Sequence, residues 1–569
     1  MSTPKNTLQI GLCMAGAISA GAYTAGVVDY LIEALDEWYK RKSDGQPNVP
    51  AHNIEISVIG GASAGGMTSI ITAAALQNII GMVGPANKNT SRPKPNNVFY
   101  HSWVDLTHED MFSEILKSSD IKKNTVPSIL NSNFIDEVAE RALSINHNPQ
   151  HRPYIASELK VFVSLTNLQG MEFGLDFDSI SKKNQFIVTN HKDYACLKFC
   201  KNEKNEINDG WIPVNLKTGH HLPLAKAAAM ATGAFPLGLR ARRVVRDAEY
   251  LNNNPWFDYI TKVANKPFND VYDSYFIDGG MINNEPFEKV KIVLDDILHS
   301  KNEEMNEADI AGFKSTIIMI DPFPSEVSGE IAGSSIEPNS KEMDFDLPTI
   351  ASKTLSALKN QSRIKPIDLK DALDPNQMGQ FLIAPVRYVK DINSDTDISI
   401  EGKRAIACGS LGGFGGFLKK DFRIHDFYLG RANCEKFLRD YFIVPIDSRS
   451  DIIEQGYVGL SKSERDKFTS FDKNGNRRGL QIIPIFSQQA NQPDMPIFAN
   501  GRTWPSITER EIKRYKSPIK RRIKAIISIL SGTKALKKTF LIIYASPLIA
   551  FITNKIMRFI IDSATNRNV

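Results

Sequence analysis

The stretch Val58–Gly66, VIGGASAGG, encloses one serine in residues with small side chains or none. Two readings meet there. Small residues let a strand and the next helix pack closely. Equally, Gly61-Ala62-Ser63-Ala64-Gly65 is the G-x-S-x-G pattern of a nucleophile elbow, a tight strand-to-helix turn that leaves the serine hydroxyl exposed. The flanks meet the condition this motif sets. HNIEISVIGG (His52–Gly61) reads as a strand, and GMTSIITAAALQNI (Gly66–Ile79) as the helix after it. Glycines at 61 and 65 relieve crowding at the turn, and the first amides of the helix favour negative charge developing beside Ser63.

The same unit recurs. The apolar run Ile10–Met14 ends in small residues and leads into AGAYTAGVVDYLIEALDEWYK (Ala20–Lys40), where Val27, Tyr30, Leu31 and Leu35 fall at helical spacing. DSYFIDGGMINNEPFEKVKIVLDDIL (Asp273–Leu298) is again strand, glycine turn and helix. ELKVFVSLTNLQG (Glu158–Gly170) and STIIMIDPFP (Ser315–Pro324) read as further strands, and LPLAKAAAMATGAFP (Leu222–Pro236) as a small-residue helix closed by proline. Repeated strand–glycine turn–helix units predict a three-layer α/β fold with a mainly parallel sheet. GPANKNTSRPKPNN (Gly84–Asn97) is an exposed loop, and residues 98–150 read as mainly helical, a candidate cover for a site. Beyond residue 340 the signals are mixed, with helices suggested near 350–361 and 431–441. The expected organisation is a domain over 1–340, an accessory region over 341–505 packed on it, and a basic and apolar segment over 506–569.

Composition narrows the classes of function. With 569 residues, 42% of them hydrophobic, the chain can bury a large core. A formal charge of +5, from 69 basic against 64 acidic side chains, is too small a bias for a nucleic-acid binder. Cys13, Cys196, Cys200, Cys408 and Cys434 form no dense framework, and reduced thiols in a cytoplasmic compartment are the economical reading. The start MSTPKNTLQIGLCMAG lacks an apolar signal core, so secretion by that route is not expected. No H-E-x-x-H, close Cys/His cluster or G-x-x-x-x-G-K-[ST] is present, so neither a metal nor a nucleotide triphosphate, nor any other cofactor, is expected.

The tail differs from the rest. Residues 511–538 hold ten Lys or Arg against one acidic residue, Glu511, and sixteen uncharged residues follow, TFLIIYASPLIAFITN (Thr539–Asn554). A spanning helix needs ~20 apolar residues, and Pro547 interrupts this run. Two readings stay open: peripheral membrane contact through residues 511–562, on the inner face of a membrane, or a helical pair that buries its apolar side on the main domain.

A serine nucleophile needs a base. Among ten histidines, His220, His221 and His425 attract notice, but none lies in an evident late strand-exit turn. Asp278, in FIDGG, does lie at a strand exit, followed by Gly279 and Gly280. It either serves Ser63 from the same end of the sheet or merely pins its turn.

Together these residues resemble the patatin-like phospholipases, lipid acyl hydrolases that use a Ser–Asp dyad. Gly61–Gly65 resembles the family's elbow, Asp278-Gly279-Gly280 its D-G-G/A motif, and MAGAISAGAYTAG (Met14–Gly26) takes the place of its glycine-rich oxyanion loop. AAAMATGAFP (Ala227–Pro236), Asn283 and Pro286 also fit, so that the likeness covers roughly residues 9–323. The resemblance implies a patatin-like α/β/α fold and cleavage of a phospholipid or other acyl ester by Ser63 and Asp278. It further implies an oxyanion hole from amides of Gly16, Ala17 and Ala64. An inactive membrane-associated scaffold or an acyltransferase is the alternative. One departure stands out: the family loop usually reads G-G-G-x-R/K-G, whereas Ala15–Gly21 offers no basic residue. GSLGGFGGFLKKDFRIHDFYLGRANCEKFL (Gly409–Leu438) resembles a bacterial patatin-related subgroup. Its Arg423, His425, Asp426 and Arg431 form either a buried ion network or part of the site's mouth.

Overall fold

The computed structural model describes residues 7–84, 96–122, 125–175, 186–200, 209–300, 314–324, 350, 354, 380–390, 397–445, 450–486, 495–530 and 545–565. Its centre is a nine-stranded, mainly parallel sheet. The strands are β1 (Thr7–Met14), β2 (Asn53–Gly61), β3 (Ile155–Leu175), β4 (Phe186–Cys200), β5 (Ile212–Val214), β6 (Arg242–Asp247), β7 (Val271–Asp278), β8 (Ser315–Ile320) and β9 (Gln380–Ile383). The main path runs β5-β4-β3-β2-β1-β8-β9, with β3, β2, β1, β8 and β9 all parallel. Strand β4 returns antiparallel along β3, and β6 and β7 form an antiparallel ribbon attached to β3.

Alternation along the central strands explains the layers. On β1, Leu12 and Met14 join one apolar cluster while Cys13 joins another, and on β2 Ile59 and Val58 divide likewise. Successive side chains of a strand point to opposite faces, so both faces of this sheet need cover. One face is covered by α1 (Gly21–Ser43) and α2 (Ser63–Ala75); the other by α5 (Phe287–Ser300), through Phe287, Val290, Val293 and Leu294. Between them in sequence come α3 (Asn133–Ala142) and α4 (Leu222–Thr232). The result is the three-layer α/β/α arrangement that the recurring units predicted.

The chain beyond residue 340 is built into this frame. Strand β9 extends the central sheet beside β8. Helix α6 (Lys420–Asp440) starts well before the helix expected near 431–441 and lies directly on α1. The contact is backbone to backbone: a Cβ at Gly26 would sit 1.9 Å from Phe427 O, and one at Gly430 would sit 2.2 Å from Tyr23 O. Only glycine allows so close a crossing. The helix expected near 350–361 falls almost wholly outside the described residues. At the C-terminus, α7 (Lys516–Leu530) and α8 (Ser546–Thr565) pack on each other and on the core. No helix among the described residues is long and apolar enough to cross a membrane.

Candidate active site

Strand β2 ends at Gly61, and Ser63 opens α2 with φ at +51°, the left-handed region. A non-glycine residue there is strained, and such strain is held by its surroundings. Two contacts hold this one. The Ser63 amide donates to Thr232 Oγ1 at 3.0 Å, and Thr232 donates its hydroxyl to Ser164 O at 2.8 Å. Gly65 packs against the end of β1, where a Cβ would come within 2.2 Å of Met14 O. The elbow is thus pressed between β1, β3 and the end of α4.

Ser63 Oγ donates to Asp278 Oδ2 at 2.5 Å. Both side chains are nearly buried. The other Asp278 oxygen accepts the Gly280 amide at 2.7 Å, and Thr166 Oγ1 donates to the Asp278 carbonyl at 2.8 Å. Asp278 therefore both pins its own turn and faces Ser63. Its route is less direct than expected. Strand β7 runs antiparallel to β3, pairing Asp278 with Leu165, so the aspartate arrives from beyond the sheet end rather than along a parallel strand.

The loop after β1 closes the third side. A Cβ at Gly16 would lie 2.9 Å from Ser63 Cβ and 2.3 Å from Asn284 Oδ1, so this backbone runs against both the serine and the chain after the D-G-G turn. The Gly16 amide makes a long contact, 3.4 Å, with Asn284 O. Ala17 precedes the single 3-10 turn Ile18–Ala20, and Ala64 lies in the first turn of α2, where amides have no preceding helical acceptor. Gly61, Gly65, Gly279 and Gly280 all lie at these turns. Sequence reasoning missed Thr232 and Asn284. Thr232 carried one faint signal, a hydroxyl at the end of an otherwise alanine-rich helix.

Ser63 lines an apolar cavity whose walls include Met67, Ile71, Leu106, Phe134, Val138 and Phe235. Residues 98–150, anticipated as a cover, contribute to it, and so does the chain after α4. The accessory region contributes Phe417 and Arg423. It also braces the loop: the Gly416 amide donates to Ser19 Oγ at 3.0 Å, and Ser19 Oγ donates to Gly413 O. The four polar residues singled out around α6 divide between the two readings given them. Asp426 accepts from the Ala407 and Cys408 amides at 2.8 and 2.9 Å and pairs with His425, while Arg431 binds Asp29 and Glu33. Those three are structural; Arg423 reaches the cavity.

The site thus sets a serine at a strand-to-helix elbow, bonded to an aspartate beside an apolar cavity, in an α/β protein. Residues 12–291 match the family model described as patatin-like phospholipase, the family named by the resemblance. A relative described as "Uncharacterized protein y4iI", from Sinorhizobium fredii (strain NBRC 101917 / NGR234), is 32% identical over 485 residues. The similarity takes in 77% of this chain and 65% of that protein's length.

Proposed function

We propose that the chain is a serine carboxylic ester hydrolase of the phospholipase A or carboxylesterase type. The 2.5 Å Ser63–Asp278 hydrogen bond at an apolar cavity carries this reading. Ser63 Oγ attacks the ester carbonyl carbon as its proton passes to Asp278 Oδ2. The carbonyl oxygen becomes an oxyanion, met by the amides of Ala17 and Ala64. Gly16 joins them by exchanging its long bond to Asn284 O for the oxyanion. Collapse expels the alcohol, which takes the proton from Asp278, and leaves an acyl-Ser63 ester. Water, deprotonated by the same carboxylate, releases the fatty acid. A medium-chain p-nitrophenyl ester and mixed phospholipid vesicles, offered to wild type, Ser63→Ala and Asp278→Asn, test the scheme. Activity lost in both variants is expected. Activity surviving both overturns the dyad, and a wild type silent on both substrates favours a binding protein or transfer to an acceptor other than water.

Peripheral contact with the inner face of a membrane belongs to the same proposal. Helix α8 turns Ile549, Thr553, Met557 and Ile560 inward, yet Leu548, Phe551 and Phe559 on its other side are more than half exposed. Lys555 lies over the Phe551 ring, and Arg558 is exposed beside Phe559. Apolar tips flanked by cations suit an anionic lipid surface. Helix α7 links this face to the cavity rim: buried Arg522 binds Ile129 O, and the Ile129 amide donates to Leu237 O at 2.8 Å. Leu237 is 80% exposed and stands between cavity-lining Phe235 and Leu239.

A further inference from the structure

Between Ala15 and Gly21, Ser19 carries the only polar side chain. The backbone beside it is strained. Ile18 stands at φ +50°, in the left-handed region, where a β-branched residue is held only by its surroundings. The near end of the loop belongs to the sheet, since the Ala15 amide donates to Ile320 O at 3.0 Å. Gly16, Ala17 and Ile18 lie beyond that anchor.

Ser19 supplies the second anchor. It is buried, its hydroxyl donates to Gly413 O, and it accepts the Gly416 amide at 3.0 Å. Both partners are backbone groups of the accessory region, and both approach closely because they are glycines. A Cβ at Gly416 would stand 2.7 Å from Ser19 Oγ, and one at Gly413 would stand 3.3 Å from Ile18 Cβ. The partner segment is itself held from outside. Leu411, at φ +54°, donates its amide to Ser563 Oγ, on the last turn of α8, at 2.8 Å. Strained Ile18 and strained Leu411 thus flank one buried contact that the Ser19 hydroxyl spans.

We propose that Ser19 is a positioning residue for ester cleavage, holding the Gly16–Ala17 backbone at its place opposite Ser63. A serine hydroxyl has one proton to donate, and this one is given to Gly413 O, so Ser19 acts through the backbone and not on the ester. Oxyanion donors work by being fixed beforehand, and a displacement of about 1 Å costs on the order of a hundredfold in rate. The inference rests on the acyl-hydrolase reading. It adds that turnover depends on residues 411–416 and on α8, which lie outside the stretch matched by the family model.

The test compares wild type, Ser19→Ala, Ser563→Ala and Ser63→Ala on a medium-chain p-nitrophenyl ester. Each is also inhibited with a medium-chain trifluoromethyl ketone and with the methyl ketone of the same chain. Ser63 Oγ adds to the fluorinated carbonyl as its proton passes to Asp278, leaving an oxyanion at the loop; the methyl ketone binds without that adduct. Ser19→Ala should lower kcat on the order of tenfold to a hundredfold with KM nearly unchanged. It should weaken the trifluoromethyl ketone by a like factor and leave the methyl ketone as it was. If Ser19→Ala fails to fold, Ser563→Ala reads the same brace from the half-buried end of α8, and should shift kcat and the trifluoromethyl ketone together, by less. Unchanged kcat and trifluoromethyl ketone inhibition in every folded variant overturns the positioning role, and so does an equal weakening of both ketones; in either case the dyad still stands on the loss of activity in Ser63→Ala. A wild type without Ser63-dependent activity overturns the acyl-hydrolase reading and this inference with it.

Discussion

The amide of Ser63 is held by the hydroxyl of Thr232, 169 residues away in sequence, at 3.0 Å. That bond ties the strained elbow to the end of α4 and, through Ser164 O, to β3. Thr232→Val should orphan a buried amide at a cost of about 1–3 kcal/mol and let Ser63 rotate away from Asp278. Ester hydrolysis should fall at least tenfold, whereas Thr232→Ser should retain most of it. Steady-state kinetics on a p-nitrophenyl ester, with thermal unfolding of each variant, separate positioning from stability.

Gly65→Ala should be far more damaging than its size suggests. The added carbon would meet Met14 O and Ala15 O, at 2.2 and 2.5 Å, both backbone atoms. Gly459→Ala, where nothing lies within 4 Å, is the matched control and should be nearly neutral. Circular dichroism melts of the pair check the contrast; a Gly65→Ala protein as stable and active as wild type would contradict the packing of the elbow against β1.

Arg246 and Asp193 form a bidentate pair at 2.8 and 2.7 Å, with side chains 2% and 0% exposed. Removing one partner strands the other charge. Arg246→Met should therefore destabilise by about 3–5 kcal/mol. The urea midpoint reports this, and Asp193→Asn combined with Arg246→Met should recover part of the loss.

His52 joins the core to the accessory region, its Nε2 donating to Ile482 O at 2.8 Å while Nδ1 is buried with no partner among the described residues. Burial pushes its pKa from 6.5 down to about 4. The unfolded chain therefore binds a proton at this site before the folded one does. The stabilisation is fully present above pH 6.5 and is lost as pH falls toward 4. Over that window the loss is on the order of 3 kcal/mol. Denaturant titrations should show His52→Gln flattening this part of the pH dependence.

The exposed face of α8 gives a prediction about membranes. Phe551→Ser combined with Phe559→Ser should lower binding to phosphatidylglycerol-containing vesicles on the order of tenfold or more, as expected for losing two partly inserted aromatic side chains. Sedimentation with vesicles at rising salt should also weaken the wild type, through screening of Lys555 and its neighbours. Wild-type binding insensitive to both changes would leave α8 as a packing helix alone.

What could be read from the chain was local. The elbow at Ser63 and the turn at Asp278 are short patterns whose flanking strands and helices carry their own periodicity, so residue type and geometry agree within a dozen positions. The direction of β7 was not legible, because an apolar strand before a glycine turn looks alike whichever way its neighbour runs. Nor was the pairing of β9 with β8, since a four-residue strand has too little periodicity to announce its partner. Thr232 escaped for the same reason, and which of its two readings Arg423 would take was not legible either. Their significance lies in what they touch across 169 and more than 300 positions, Ser63 in one case and Val104 in the other. Helices α7 and α8 realised one of the two open readings, burying an apolar side on the main domain, while keeping a second apolar side outside.

The bracing of Ser19 by Gly413 and Gly416 has a consequence for synthesis of the chain. A ribosome delivers the loop at Gly16 first, then Ser63, then Asp278, and only much later the glycines and the helix that hold the loop. The brace on that loop is therefore added only after residue 416 has been made. A nascent chain carries both Ser63 and Asp278 before the glycines that brace Ser19 have been made.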